Sequence, residues 1–211
     1  MDTQELQNLL SAWIVLSIVL AFPILLKEEW NILSQTIFFA LVILIISVGA
    51  KKTMASMLDI NAEHRIWHMN RFGFHPKNYF KQEVPTGIIL PIIASIFSLG
   101  KLFLLTPLTY EARALKHRAA KRHGIYSFTE VTDWHNGLIG AAGIISTLIL
   151  AIVSYLINQE ALAKFATFFA VANLIPFSDL DGTQIFFGSR IIWTVLAVVT
   201  FIFFLYALLL V

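Results

Sequence analysis

Two groups of residues in this 211-residue chain have the types and spacing to do chemistry. The first runs from Asn173 to Gly182 (Asn-Leu-Ile-Pro-Phe-Ser-Asp-Leu-Asp-Gly), a polar island closing a hydrophobic run. In apolar surroundings the amide of Asn173, the ring of Pro176 and the carboxylates of Asp179 and Asp181 are costly. Each therefore marks a site or a structural break. The second group is His64-Arg65-Ile66-Trp67-His68, two imidazoles four residues apart. On a helix that spacing puts both on one face, as in a zinc-binding His-Glu-x-x-His helix. Arg65 stands where the glutamate base would be; it cannot accept a proton, and its charge opposes a metal. Glu63 lies on the wrong side of His64 to replace it.

The elements that must position these groups are membrane helices. Hydrophobic residues make up 58% of the chain and charged residues 13%, with a mean hydropathy of +0.77. Soluble domains carry about 25% charge, so the composition predicts a single integral membrane domain over 1–211. Cysteine is absent, which excludes disulfides, thiolate zinc sites and a cysteine nucleophile. The start is acidic rather than basic and the first apolar run is long enough to span, so no cleavable signal peptide is expected.

A crossing helix needs about 20 apolar residues. Segments near 9–26, 32–50, 137–157, 162–177 and 191–211 fit. The stretch 86–107 is apolar but interrupted by Pro91, Gly100, Lys101 and Pro107, and reads as either re-entrant or an additional span. The expected fold is thus an all-α polytopic membrane protein with five to six transmembrane helices. A re-entrant or β-hairpin element lies between the second and third full spans. Basic residues cluster in 51–85 and 108–135. A re-entrant path puts both clusters, with Arg190, in the cytosol and leaves Lys27 and Lys164 outside, so the N-terminus is expected to be cytosolic. Such a path would hold a short helix from Thr86 and a hairpin of 101–110 with 124–131. The short loops suggest a prokaryotic cell membrane.

The string Asn173 to Gly182 resembles the N-x-x-P-x-x-x-L-D-G signature of the site-2 proteases, a family of intramembrane zinc metalloproteases. The resemblance implies that Asp181 is the third zinc ligand. Family members also commonly read H-E-x-A-H-K-x-x-A and, shortly after, A-E-[FY]-R-[LI]-W. Here Ala62-Glu63-His64-Arg65-Ile66-Trp67 is similar to the second element, and Lys52 and Ala55 fit the first. That register lays the two histidines and the glutamate onto Ser47, Lys51 and Val48. Two zinc ligands and the base are then missing. Lys51 is expected to bring its ammonium to Asp181, where a metal would otherwise sit, since a carboxylate at depth needs a partner. A third element, G-P-x-x-N, maps onto Gly143-Ile144-Ile145-Ser146-Thr147 and keeps only its glycine.

Plainer roles compete at each position. His64 and His68 suit an interfacial helix anchored by Trp67 and Phe72. If that helix continues straight from the second span, His64 lies on the order of 20 Å beyond it. Asn173 and Asp181 could satisfy backbone where the helix breaks at Pro176, with Ser178 or Asp179 capping the next turn and Gly182 letting it bend. Gly137, Gly140 and Gly143 favour close helix packing. Lys101 is expected to snorkel or to pair with Glu111 or Asp179. The basic run 113–123 reads as a solvated helix or turn with some attraction to anionic lipid headgroups. No aromatic platform accompanies it, so nucleic acid is not an expected partner.

The expected function is a site-2-protease-like membrane protein without proteolytic activity and without a cofactor, which binds or scaffolds a membrane protein or transmembrane peptide segment. The alternative is an active intramembrane zinc protease, with Zn2+ on His64, His68 and Asp181. A small transporter is a third class, but the chain shows no inverted repeat of interrupted helices.

Overall fold

The computed structural model describes residues 3–71, 79–101, 103–115 and 131–209. Helix α1 (Thr3–Leu26) turns back through Lys27-Glu28-Glu29, with Glu28 left-handed, into a 3-10 turn (Trp30–Ile32) and α2 (Leu33–Met57). Strands β1 (Ile60–Ile66), β2 (Met69–Arg71) and β3 (Tyr79–Val84) follow, then α3 (Thr86–Phe97) and β4 (Leu108–Ala114). The chain closes with α4 (Asp133–Leu156), α5 (Glu160–Leu174), α6 (Asp181–Gly188) and α7 (Arg190–Leu209).

Among the described residues four helices are long and apolar enough to cross a membrane: α1, α2 with its 3-10 turn, α4 and α7. The stretch expected to span at 162–177 forms a 15-residue helix that ends at Leu174, about 22 Å long. It stops early because Ile175 turns extended ahead of Pro176, whose ring excludes helical geometry in the preceding residue. Antiparallel contacts fix the two ends of the bundle. Gln35 donates to Gln159 at 3.1 Å and Tyr155 stacks on Tyr206 at one end. At the other, Trp193 Nε1 donates to the Leu174 carbonyl at 3.1 Å and Lys52 meets Glu5.

The expected hairpin of 101–110 with 124–131 is not what β4 makes. It pairs antiparallel with β1 in the register Ile60↔Ala114, His64↔Tyr110, Ile66↔Leu108; residues 116–130 lie outside the described residues. The expected helix over His64 and His68 is not formed either: His64 lies in β1 and His68 between β1 and β2. Ile60, Ala62, His64 and Ile66 alternate inward with outward Asn61 and Arg65, and this period of two outweighs the four-residue histidine spacing. Arg113, expected in a basic helix or turn, sits in β4. On the outer face Arg65 meets Glu111 at 2.5 Å, and Arg113 reaches Glu63 and Glu111 at 3.5 and 3.3 Å. Glu111 is thereby taken, and Lys101 makes no ion pair among the described residues.

The stretch 86–107 does not run through as an additional helical span. Helix α3 has 12 residues, about 18 Å, and closes with Leu99 and Gly100 both left-handed. A Cβ on Gly100 would lie 2.8 Å from Pro23 Cβ, so the tip packs three residues short of the end of α1. The chain then returns extended through Leu105 to Pro107. Trp67 joins the two ends: its N–H donates to Pro107 at 3.0 Å and its carbonyl accepts from Gly87 at 2.8 Å. The backbones come so close that a Cβ on Gly87 would overlap the Pro107 carbonyl.

The main core lies among α1, α2, α4 and α5, around Leu16, Val19, Leu20, Ile43 and Phe169, with Leu105 of the returning strand inside it. Helix α4 presses on α6 through its glycines: a Cβ on Gly137 would lie 3.1 Å from Gly188 Cα. Gly182 was expected to permit a bend, but it lies within α6. Its role is close approach, since a Cβ there would overlap the Leu174 carbonyl.

Gly87→Ala and Gly182→Ala should each lower the thermal unfolding midpoint in detergent by several degrees, because the obstacle is backbone and overpacking costs about 1–3 kcal/mol or more. Gly49, mid-helix with nothing within 4 Å of its Cβ position, should accept alanine without loss.

Candidate functional site

The last turns of α2 carry Ser47, Lys51 and Ala55 on the buried face. Lys51 is 3% exposed and Asp181, the first residue of α6, is fully buried. Their side chains meet at 2.5 Å between Nζ and Oδ2. The structure thus brings together two residues 130 positions apart (181 minus 51) that the sequence singled out. Three features accommodate the pair. Gly143 leaves a slot for the lysine stem, since a Cβ there would lie 2.5 Å from Lys51 Cε. The Tyr110 ring lies 5.2 Å from the ammonium, within cation–π range. Asp181 sits in the first turn of α6, where the helix dipole favours a carboxylate. Neither carboxylate oxygen of Asp181 makes a hydrogen bond among the described residues, so the charge of Lys51 is what compensates the carboxylate.

A second polar cluster adjoins the first. Glu5 of α1, 6% exposed, receives Lys52 Nζ at 2.7 Å on Oε1 and 2.8 Å on Oε2. The same Oε1 accepts the His64 backbone N–H at 3.2 Å and lies 3.3 Å from His64 Nδ1. Asn8 donates to the His64 carbonyl at 3.4 Å. Burial and, next, the Lys51 charge push the His64 imidazole down to about 3, against the opposing pull of Glu5. His64 is therefore neutral at physiological pH, with Nε2 buried and without a partner among the described residues. Burial, and then the Asp181 charge, holds the Tyr110 phenol well above its ordinary value; it donates to the Asn136 carbonyl at 2.6 Å.

The island from Asn173 to Gly182 joins these clusters to the segment that returns from α3. Asn173 is buried and its Nδ2 donates to Leu105 and Phe169 carbonyls, both at 2.8 Å. It thus supplies the hydrogen bond that a strandless extended segment lacks. Pro176 and Asp179 are exposed. The expected cap from Ser178 or Asp179 is not made: Leu180 precedes α6 without a side-chain cap. Ser178, with φ 50°, instead accepts from Trp67 Nε1 at 3.2 Å. The Asp179 carbonyl accepts from Thr109 at 2.5 Å and from Gln184 at 3.4 Å. Trp67, expected at the headgroup level, is 1% exposed and packs edge-on to Phe177 at 5.9 Å; Phe72 lies outside the described residues.

Zinc does not fit these residues. Lys51 already holds a positive charge against Asp181. His68 lies past the end of β1, with Nδ1 2.7 Å from the Ile66 carbonyl. Among the described residues no three His, Cys, Asp or Glu side chains gather as a metal would require. The set His64, His68 and Asp181 is therefore not brought together. Glu5, Tyr110 and Trp67 escaped the sequence reading as site residues. Glu5 is separated from His64 by 59 residues, and nothing local marks the pairing. Tyr110 could have been found from the alternation of β4 once its partner strand was known.

No protein-family model, no curated protein and no solved structure matches the chain.

Lys51→Met should cost about 3–5 kcal/mol, because it leaves Asp181 buried and unpaired. The double variant Lys51→Met/Asp181→Leu should recover most of that loss, as read from thermal unfolding. If both unfold alike, the pair is not what compensates Asp181. The depressed His64 gives a second test. Between pH 6.5 and about 3 the unfolded chain binds a proton at this position that the folded chain refuses, so stability is present above 6.5 and falls as pH drops. From pH 7 to pH 4 the wild type should lose more of its unfolding midpoint than His64→Gln.

Proposed function

We propose that this protein is a site-2-protease-like membrane protein in which an internal lysine takes the place of catalytic zinc, and which binds or holds a membrane segment of another protein instead of cutting it. One observation carries the reading: the Lys51 ammonium lies 2.5 Å from Asp181 with both groups buried. These are the two positions to which the sequence resemblance gives metal ligands. Gly143, the one retained residue of the third motif, makes room for that lysine, and Asn173, the first residue of the signature, holds the Leu105 carbonyl. Three motifs distant in sequence thus converge on one buried centre, as they would in a protease of that family.

In this reading α1, α2, α4, α5 and α7 cross the membrane, with α5 as a short fifth span, and 86–107 is re-entrant. Orientation follows from charge. Lys51, Lys52, Arg65, Arg113 and Arg190 lie toward the end of the bundle that holds the ion pair, and Lys27, Lys101 and Lys164 toward the other. The positive-inside rule then puts the site at the cytosolic face, with the N-terminus. With Lys51 set against Asp181 in a ligand position and Val48 in place of the base, the centre offers a poor site for a water-activating metal and no group to take the water's proton. The exposed stretch of Pro176 and Phe177 beside it is the surface offered to a partner segment.

Metal analysis of detergent-purified protein tests this directly. Zinc well below one equivalent per chain, unchanged in Lys51→Met/Asp181→Leu, is the expected result. Near-stoichiometric zinc that the double variant loses, or chelator-sensitive cleavage of a membrane peptide, would overturn the proposal. The chain with Ser47→His, Val48→Glu and Lys51→His together should gain about one zinc. Failure to do so would show that Ser47 and Lys51 do not occupy ligand positions.

A further inference from the structure

Away from the ion pair, the returning strand, α5 and α7 enclose an apolar groove with one charged residue. Its larger part, about 540 Å³, lies between Lys101, Phe103 and Leu208. It shares Val171, Ile175 and Phe204 with a second part of about 190 Å³ that reaches Trp193. From Leu208 to Trp193 along α7 is fifteen residues, about 22 Å. That exceeds the roughly 15 Å of one leaflet's hydrocarbon. Lys101 marks the end remote from Asp181: the neighbouring Gly100 packs on Pro23, near the end of α1, and Leu208 is next to last in α7. The lysine is exposed and forms no ion pair among the described residues.

We propose that this groove is a binding site for one phospholipid with an anionic headgroup. Its phosphate lies against Lys101 and one acyl chain follows α7 toward Trp193. Charge complementarity selects the occupant: a lone cation at the boundary end of an apolar slot matches an anionic head on a hydrocarbon tail. The Lys101 end of this groove lies at the opposite end of the bundle from Arg65 and Arg113, and the site does not depend on whether Asp181 ever binds zinc.

The test uses full-length protein in nanodiscs of phosphatidylcholine to which phosphatidylglycerol is added, with bromine on the acyl chains of one lipid at a time. The readout is the part of the tryptophan emission that Trp193→Phe removes. Brominated phosphatidylglycerol should quench it at about one-fifth the mole fraction needed with phosphatidylcholine, the ratio expected for one lysine facing an anionic headgroup. Lys101→Gln should abolish that preference while leaving the unfolding midpoint unchanged. Native mass spectrometry gives an independent count: one retained phosphatidylglycerol in the wild type, none in Lys101→Gln. Equal quenching by both lipids, or the same retained lipid in both proteins, overturns the proposal. So does an emission that neither lipid quenches, the outcome if a peptide segment fills the groove.

Discussion

The architecture depends on one buried charge pair. Moving an ammonium and a carboxylate out of water costs several kcal/mol each, and their attraction offsets this only in good geometry. The protein makes the pair by bringing four segments to one place. Helix α2 delivers Lys51, α6 delivers Asp181, α4 supplies the slot at Gly143, and β4 supplies the Tyr110 ring. If any of these shifts by an ångström, two charges are left inadequately compensated. The pair therefore contributes specificity of arrangement more than net stability. The close glycine contacts between α4 and α6 become intelligible in that light, because they set the distance at which Lys51 can reach.

The second polar cluster extends the same logic to α1 and the sheet. Glu5 is satisfied by Lys52 and by His64, so the N-terminal helix is tied both to the end of α2 and to β1. Consecutive lysines thus serve different carboxylates on different elements. Lys51 points to the centre of the bundle and Lys52 to the N-terminal helix. A helix turn separates neighbouring side chains by about 100°, and this chain uses that angle to bind two layers to one helix.

Much of this was legible in the sequence where one residue's physical need could be stated alone. The polar string at 173–182 demanded partners. The register that put Lys51 opposite Asp181 came from the resemblance to the site-2 protease motifs, and the interruptions in 86–107 argued against a plain span. What sequence could not supply was pairing across long separations. His64 and His68 carry a helical spacing, yet the alternation of Ile60, Ala62, His64 and Ile66 decides their state once β4 is alongside. The helix after 162 was expected to run to Phe177 because its apolar run continues that far. Its backbone breaks earlier, ahead of Pro176. Glu5 resembled an ordinary acidic start and gave no local sign of reaching residue 64.

The joint between Asn173 and the Leu105 carbonyl bears on how the chain is assembled as it emerges. The returning strand passes through the core without a neighbouring strand, and among the described residues Asn173 is what satisfies that carbonyl. A nascent chain therefore carries this segment unfinished for some seventy residues of synthesis, since the partner lies 68 positions later. Only when α5 enters beside α2 and α4 can the early segment settle, so the N-terminal half of the molecule is completed last.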